Sequence, residues 1–305
     1  MEWRRMEELI KEIQELKKKR RAVILAHNYQ PDAVQDMADF VGDSLELSRK
    51  AAASPAEVVV LAGVRFMAES ASILAPEKTV LLPDIFAGCP LADSIDAEAL
   101  RRARERYPDA AVVCYVNSPA EVKAESDICC TSSNAVQVVQ SLPHRRVLFV
   151  PDRNLAHYVS RFTDKEIIPW EGSCLTHCRV TREDVEEARE AHPEAKVLVH
   201  PECRPEVVEA ADFVGSTGQI LKYARESRDR EFLIGTEMGI IHRLEAENPG
   251  KKFYLLSPGL ICPNMKLTSL AKIAQALREM KPVVRVPEPV RSRAREALER
   301  MLKVG

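Results

Sequence analysis

The sequence predicts an α/β fold of three similar α/β/α lobes with parallel sheets, set in pseudo-threefold symmetry around a central axis that carries the site. Two observations carry this. First, one stretch is written three times. Residues 23–44 read VILAHNYQPDAVQDMADFVGDS, residues 196–217 read KVLVHPECRPEVVEAADFVGST, and a weaker copy from Val112 reads VVCYVNSPAEVKAESDICCTS. His27, Tyr115 and His200 anchor the copies at spacings of 88 and 85 residues, and seventeen residues after each anchor stands a hydroxyl: Ser44, Ser132, Thr217. Second, apolar runs alternate with helical patterns throughout, as parallel sheets covered on both faces require.

Residues 5–20 read as a helix, with Met6, Leu9, Ile10, Ile13 and Leu16 at three- and four-residue spacing. AVILA at 22–26 is a strand buried on both faces. Pro31 breaks the chain, and 32–53 resumes as a helix. VVVLAGV at 58–64 is the next strand, 65–74 a helix, and 79–83 a strand leading into the loop DIFAGCP. Asp96 is placed to cap a helix over 97–107. The order then recurs. VLFV at 147–150 and FLIG at 232–235 repeat the second run; EIIP at 166–169 and FYLLS at 253–257 repeat the third.

About nine or ten strands would equally suit one doubly wound sheet or a (β/α)8 barrel; the threefold period favours three units. TSLAKIAQALREMKPVVRVP at 268–287 is the helix and strand that would begin a fourth copy. The lobes are therefore set at 1–95, with 266–305 packing back on it, 96–180 and 181–265.

Composition narrows the function. The 305 residues are 46% apolar and 30% charged, with Lys+Arg 44 against Asp+Glu 46. That balance argues against bulk nucleic-acid binding. No apolar run approaches the roughly 18 residues of a membrane span. The charged amphipathic N-terminus lacks the apolar core of a signal peptide, so a cytoplasmic protein is expected. Eight cysteines in such a chain are free thiols, some of them metal ligands, rather than disulfides.

Five or six residues beyond each third strand sits a cysteine: Cys89, Cys174 and Cys262, spaced 85 and 88. Loops at the C-terminal ends of parallel strands are where α/β folds place ligands. Three copies around an axis would bring these thiols to one point. Thiolates suit zinc or an iron–sulfur cluster, and three of them leave one coordination position open. Any one alone reads better as a buried small hydrophobe; repetition reverses that. Cys114, Cys129, Cys130, Cys178 and Cys203 lack the threefold match and are structural.

Two residues beyond the anchors stand Tyr29, Asn117 and Glu202, on the same side of the extended chain. Ser44, Ser132 and Thr217 open the next turn, where Gly42, Gly215 and Gly218 let the backbone approach. Singly, these hydroxyls would be helix caps and His27 a satisfied core histidine. Together they outline a polar chamber facing three cysteines, suited to a small oxygen-rich anion. His, Tyr and Glu can shuttle protons.

AHNYQ at 26–30, ADFVGDS at 38–44, YVNS at 115–118, CTSSNA at 130–135, PDRNL at 151–155, HPEC at 200–203, VGSTGQ at 214–219 and GTE at 235–237 together resemble the quinolinate synthase family, over residues 20–270. The resemblance implies a three-lobed fold around a [4Fe–4S] cluster. It implies condensation of iminoaspartate, made by L-aspartate oxidase, with dihydroxyacetone phosphate to give quinolinate for NAD biosynthesis. Cys89, Cys174 and Cys262 then resemble the cluster ligands. His27, Ser44, Tyr115, Asn117, Ser132, His200, Glu202 and Thr217 resemble the substrate-binding set. Tyr29, with His27 and Glu202, resembles the acid/base group, and His177 resembles a further active-site position. Some members carry CxxCxxC at the last ligand; here it reads Cys262-Pro-Asn-Met265, so a regulatory disulfide there is not expected. A zinc hydrolase and a non-enzymatic iron–sulfur sensor of a dicarboxylate remain the competing classes.

Overall fold

The computed structural model describes residues 2–304. The chain forms three units of identical element order, helix then strand four times over. The first comprises α1 Glu2–Arg20, β1 Ala22–His27, α2 Asp32–Met37, β2 Phe40–Gly42, α3 Ser44–Ala53, β3 Val58–Ala62, α4 Arg65–Leu74 and β4 Thr79–Leu81. The second comprises α5 Ala97–Arg106, β5 Ala110–Tyr115, α6 Ala120–Ala124, β6 Ile128–Cys130, α7 Ala135–Ser141, β7 Arg146–Val150, α8 Arg153–Ser160 and β8 Glu166–Pro169. The third comprises α9 Arg182–Ala191, β9 Lys196–Val199, α10 Pro205–Ala210, β10 Phe213–Val214, α11 Thr217–Glu226, β11 Glu231–Gly235, α12 Ile240–Glu247 and β12 Lys252–Leu255.

Each unit folds into one parallel four-stranded sheet with its second strand at the edge: β2-β1-β3-β4, β6-β5-β7-β8 and β10-β9-β11-β12. In each, the strand order reverses between the first and third strands, the place where open α/β sheets bind ligands. The central strands are buried almost throughout; all five residues of β3 are. A fully buried Val or Leu contributes roughly 1.5–3 kcal/mol by its removal from water.

The repeat is visible in single hydrogen bonds. Asp39 accepts the Ile24 amide at 2.7 Å, Asp127 the Val112 amide at 2.7 Å, and Asp212 the Val197 amide at 2.8 Å. Each aspartate's own amide returns a bond to the same residue's carbonyl, at 2.9, 3.1 and 2.9 Å. This clamp fixes the edge strand in register with the anchor strand.

It also corrects one expectation. Residues 32–53 are not one helix: α2 stops at Met37, β2 intervenes, and α3 starts at Ser44. Ala38 is extended, and Asp43 with Glu46 forms a capping box that opens a new helix. The short edge strands β2, β6 and β10, of two or three residues, escaped the sequence count, so among the described residues the sheets hold twelve strands rather than nine or ten.

The closing segment supplies the helix of a fourth copy, α13 Leu270–Glu279, packed on α1, α2 and β3. In place of a fourth-copy strand there is a single antiparallel bridge between Leu81 and Val283. The last helix, α14 Val290–Leu302, lies against α6 and β6 of the second unit and α4 of the first. The tail thus touches the first unit through α13 and both the first and second through α14. Among the described residues, no helix is long and apolar enough to cross a membrane.

Candidate active site and metal centre

The first strands β1, β5 and β9 end at, or one residue before, the three anchors, and there a cavity of about 230 Å³ opens between the units. Every residue selected from the sequence lines it: His27, Tyr29, Ser44 and Cys89 from the first unit; Tyr115, Asn117, Ser132, Cys174 and His177 from the second or the loop after it; His200, Glu202, Thr217 and Cys262 from the third. The other five cysteines do not.

The two histidine anchors are oriented by the same local bond. The Tyr29 amide donates to His27 Nδ1 at 3.2 Å, and the Glu202 amide to His200 Nδ1 at 3.3 Å. A neutral ring so held carries its proton on Nε2, and His200 Nε2 meets Ser132 Oγ at 3.2 Å. Burial keeps both rings neutral: it lowers His27 to about 4 and also lowers His200, against the pull of Glu202.

Glu202 is a buried acid between the imidazoles of the site. Its Oε2 lies 2.9 Å from His177 Nδ1 and 3.2 Å from His200 Nδ1, and Asn117 Nδ2 approaches Oε1 at 3.4 Å. His200 Nδ1 already accepts an amide proton, so His177 is the imidazole donor to this carboxylate. Burial pushes the carboxyl up, but the imidazoles outweigh it and hold Glu202 well below the usual carboxylate range. His177 stacks on His200 at 4.7 Å between centroids. Its Nε2 meets Thr236 Oγ1 at 2.9 Å, and Thr236 Oγ1 meets the Tyr29 phenol at 2.5 Å. Burial, then the Glu202 charge, pushes both Tyr29 and Tyr115 well above the usual phenol range, so each enters the site as a proton donor.

The three cysteines occupy equivalent turns. A 3-10 turn follows each: Ala92–Ser94, His177–Arg179 and Pro263–Lys266. Backbone amides in or next to these turns favour the thiolate against burial: Ala92 and Leu91 for Cys89, His177 for Cys174, Met265 and Asn264 for Cys262. Burial pushes all three thiols up, Cys89 to about 12, and neighbouring thiols add to the rise at Cys89 and Cys174. Sulfurs gathered in one cavity, with nearby amides that favour the thiolate, fit a thiolate-bound group, whose positive charge replaces the protons. Among the described residues, the three metal-binding groups with donor atoms all within 4.8 Å of one another are Cys174, His177 and Glu202. The three cysteine sulfurs spread wider than that, whereas about 3.8 Å between sulfurs is needed around one zinc with bonds of about 2.3 Å.

The hydroxyls are not the caps. Asp43 and Ser216 cap α3 and α11, leaving Ser44 and Thr217 at the first helical position with the amide ends of two ten-residue helices behind them. Ser132 stands ahead of α7. Beneath them the units are tied together: Ser133 Oγ donates to Asp43 Oδ2 at 2.6 Å, and Ser133 and Ser216 hydroxyls are 2.8 Å apart.

Sequence reading left out Asp43, Thr236 and Glu237. Asp43 holds the position before the hydroxyl in every copy, occupied elsewhere by Thr131 and Ser216, a signal the anchors could have given. Thr236 and Glu237 stand in the GTE stretch; Glu237 matches Asp152 of the second copy, a buried acid that accepts the Cys174 amide at 3.1 Å as Glu237 accepts that of Cys262, whereas Thr236 has no hydroxyl counterpart.

Fold and site together define an α/β enzyme whose three sheets converge on a cavity fitted for a metal or iron–sulfur group beside proton-transferring side chains. Residues 11–303 match the quinolinate synthetase A protein family. The chain is 58% identical to the quinolinate synthase of Alkaliphilus metalliredigens over 97% of its length and 98% of that protein's. It is equally similar, at 58%, to that of Methanosarcina barkeri, and 54% identical to that of Caldicellulosiruptor bescii over 98% of this chain and 99% of the relative. The chain belongs to the quinolinate synthase family.

Proposed function

We propose that this enzyme condenses iminoaspartate with dihydroxyacetone phosphate to give quinolinate, one phosphate and two waters, in the branch of NAD biosynthesis that L-aspartate oxidase feeds. The observation that carries the reading is the meeting of three equivalent thiols with two neutral imidazoles, two protonated phenols and the buried Glu202 carboxylate across a single cavity. Cys89, Cys174 and Cys262, one from each of the lobes 1–95 with 266–305, 96–180 and 181–265, would hold a [4Fe–4S] cluster. When bound, that cluster supplies an electrophilic iron at the corner that no cysteine occupies.

The chain's own groups do the rest. Ser44, Ser132 and Thr217 hydroxyls, Asn117 Nδ2 and the Nε2 protons of His27 and His200 hold carboxylate and phosphate oxygens. Glu202 accepts a proton at Oε1, the oxygen left free by His177. Tyr29 donates from its phenol during isomerisation and dehydration, with His27 beside it at 4.5 Å between rings. Tyr115 closes the chamber as a further donor. Eight free cysteines fit a reducing compartment, the cytoplasm.

Anaerobic reconstitution followed by iron and sulfide analysis and a quinolinate assay with both substrates tests the proposal. Broad visible absorption with turnover supports it. Colourless zinc-loaded protein would return the reading to a hydrolase, and cluster without turnover to a sensor.

A further inference from the structure

Glu237 is a carboxylate with no exposure to solvent at all, just beyond β11. Its Oε1 accepts the Cys262 amide at 3.1 Å, and its Oε2 accepts the Gly239 amide at 2.8 Å. Lys266 spans both oxygens, at 2.9 and 3.0 Å, and its ammonium also donates to the Tyr29 carbonyl at 2.6 Å. Gly239 presses on the same peptide: a Cβ there would lie 2.7–2.8 Å from the Tyr29 carbonyl carbon, Cα and oxygen, all backbone atoms that cannot swing away. Thr236 holds the other end of Tyr29, its phenol. Four consecutive residues, Thr236 to Gly239, therefore grip Tyr29 at both ends and the Cys262 loop by its amide.

A buried ion pair is a poor device for stability alone. Apolar residues of similar volume often serve as well or better, while removal of one partner strands a buried charge. What this pair adds is direction: a carboxylate with four donors and an ammonium with three acceptors have few geometries in which all are satisfied. Here those geometries place the Tyr29 peptide and the Cys262 peptide relative to one another.

We infer that Lys266 and Glu237 are positioning residues that couple the backbone of Tyr29 to the loop of Cys262, so that the proton-donating phenol and the third thiol hold one fixed relation across the cavity. The inference rests on the proposed roles of Tyr29 and Cys262. Neither Lys266 nor Glu237 need touch substrate; displacement of the phenol by about 1 Å is enough to cost on the order of a hundredfold in rate.

The test uses Lys266→Met, Glu237→Gln and the double variant Lys266→Met/Glu237→Met, with Lys266→Arg as a charge-keeping variant that spares the fold. Each single variant is expected to lose on the order of ten- to a hundredfold in kcat with KM within about threefold. In metal-free protein, alkylation of Cys262 by iodoacetamide, mapped by mass spectrometry, should rise about fivefold or more relative to Cys89 in Glu237→Gln, as expected when a cysteine loop is freed. The double variant should recover the melting temperature lost by Lys266→Met and Glu237→Gln and leave kcat low. Recovery of kcat together with stability, or an unchanged Cys262-to-Cys89 ratio with kcat within about twofold of the parent, would overturn the inference. Failure of the parent chain to form quinolinate would overturn the assigned reaction only, because the alkylation ratio is read without metal or substrate and decides the coupling by itself.

Discussion

Tyr29 Oη and Thr236 Oγ1 stand 2.5 Å apart, and the same threonine oxygen lies 2.9 Å from His177 Nε2. The phenol is thus held at its tip by a residue on a different unit, 207 positions away in the chain. Its ring packs edge-on against His27. Tyr29→Phe keeps the ring and removes the proton. Turnover should fall by roughly a hundredfold or more, the range for loss of a positioned acid, with iron content and substrate KM close to the parent. Thr236→Val keeps the shape and frees the phenol, and should cost about tenfold in kcat. Steady-state kinetics on both variants check this; near-parental kcat in Tyr29→Phe would remove Tyr29 from the chemistry.

Replacement of Cys89, Cys174 or Cys262 by Ser should abolish the visible absorption of the reconstituted protein and most of its iron. Cys203→Ser should leave both intact. Cys203 is buried away from the cavity, with its thiol on the Gly235 carbonyl at 3.3 Å, a bond that a serine hydroxyl can repeat. Iron analysis and the spectrum decide. Cluster retained in Cys174→Ser but lost in Cys203→Ser would reverse the ligand assignment.

What the sequence made legible follows from the repeat. Residues at matching places in three copies must land around one axis, so the anchors, the hydroxyls and the three cysteines were found without coordinates. The edge strands were not legible. Phe40–Gly42 and its counterparts are too short for a period-2 pattern, and their pairing is fixed by an aspartate fifteen residues from its partner, not by local propensity. Nor were Thr236 and Lys266. Their roles arise from contacts between units, and nothing in the spacing of Tyr29 and Lys266, 237 residues apart, announces that one binds the other.

The aspartate clamp offers a test of the repeat that is independent of catalysis. Asp39, Asp127 and Asp212 make the same bond to a buried first-strand amide. Replacing each singly by Ala strands that amide, which should cost about 1–3 kcal/mol at every site. Urea unfolding of the metal-free protein should show three losses of similar size. A clamp whose removal changes nothing would not be holding its edge strand.

The last expectation concerns acid. Burial lowers His27 from the ordinary 6.5 to about 4 in the folded chain, because there is no room in the cavity wall to hydrate an imidazolium. In the unfolded chain the ring protonates normally. The folded form therefore binds fewer protons between these values, and stability falls as the pH falls. The neutral ring's contribution is fully present above pH 6.5 and is lost as the pH drops toward about 4. By pH 5 the loss from this one group is roughly 2 kcal/mol. His200 is shifted the same way by burial, whereas Glu202, held well below the carboxylate range, adds its loss only at lower pH. Urea midpoints of metal-free protein at pH 7.5, 6.5, 5.5 and 5.0 should decline for the parent. They should decline less steeply for His27→Asn, which cannot titrate, while the two chains converge at acid pH. Parallel curves for parent and variant would mean that His27 protonates as readily in the folded chain as in the unfolded one, and once protonated its Nδ1 could no longer accept the Tyr29 amide that orients the ring.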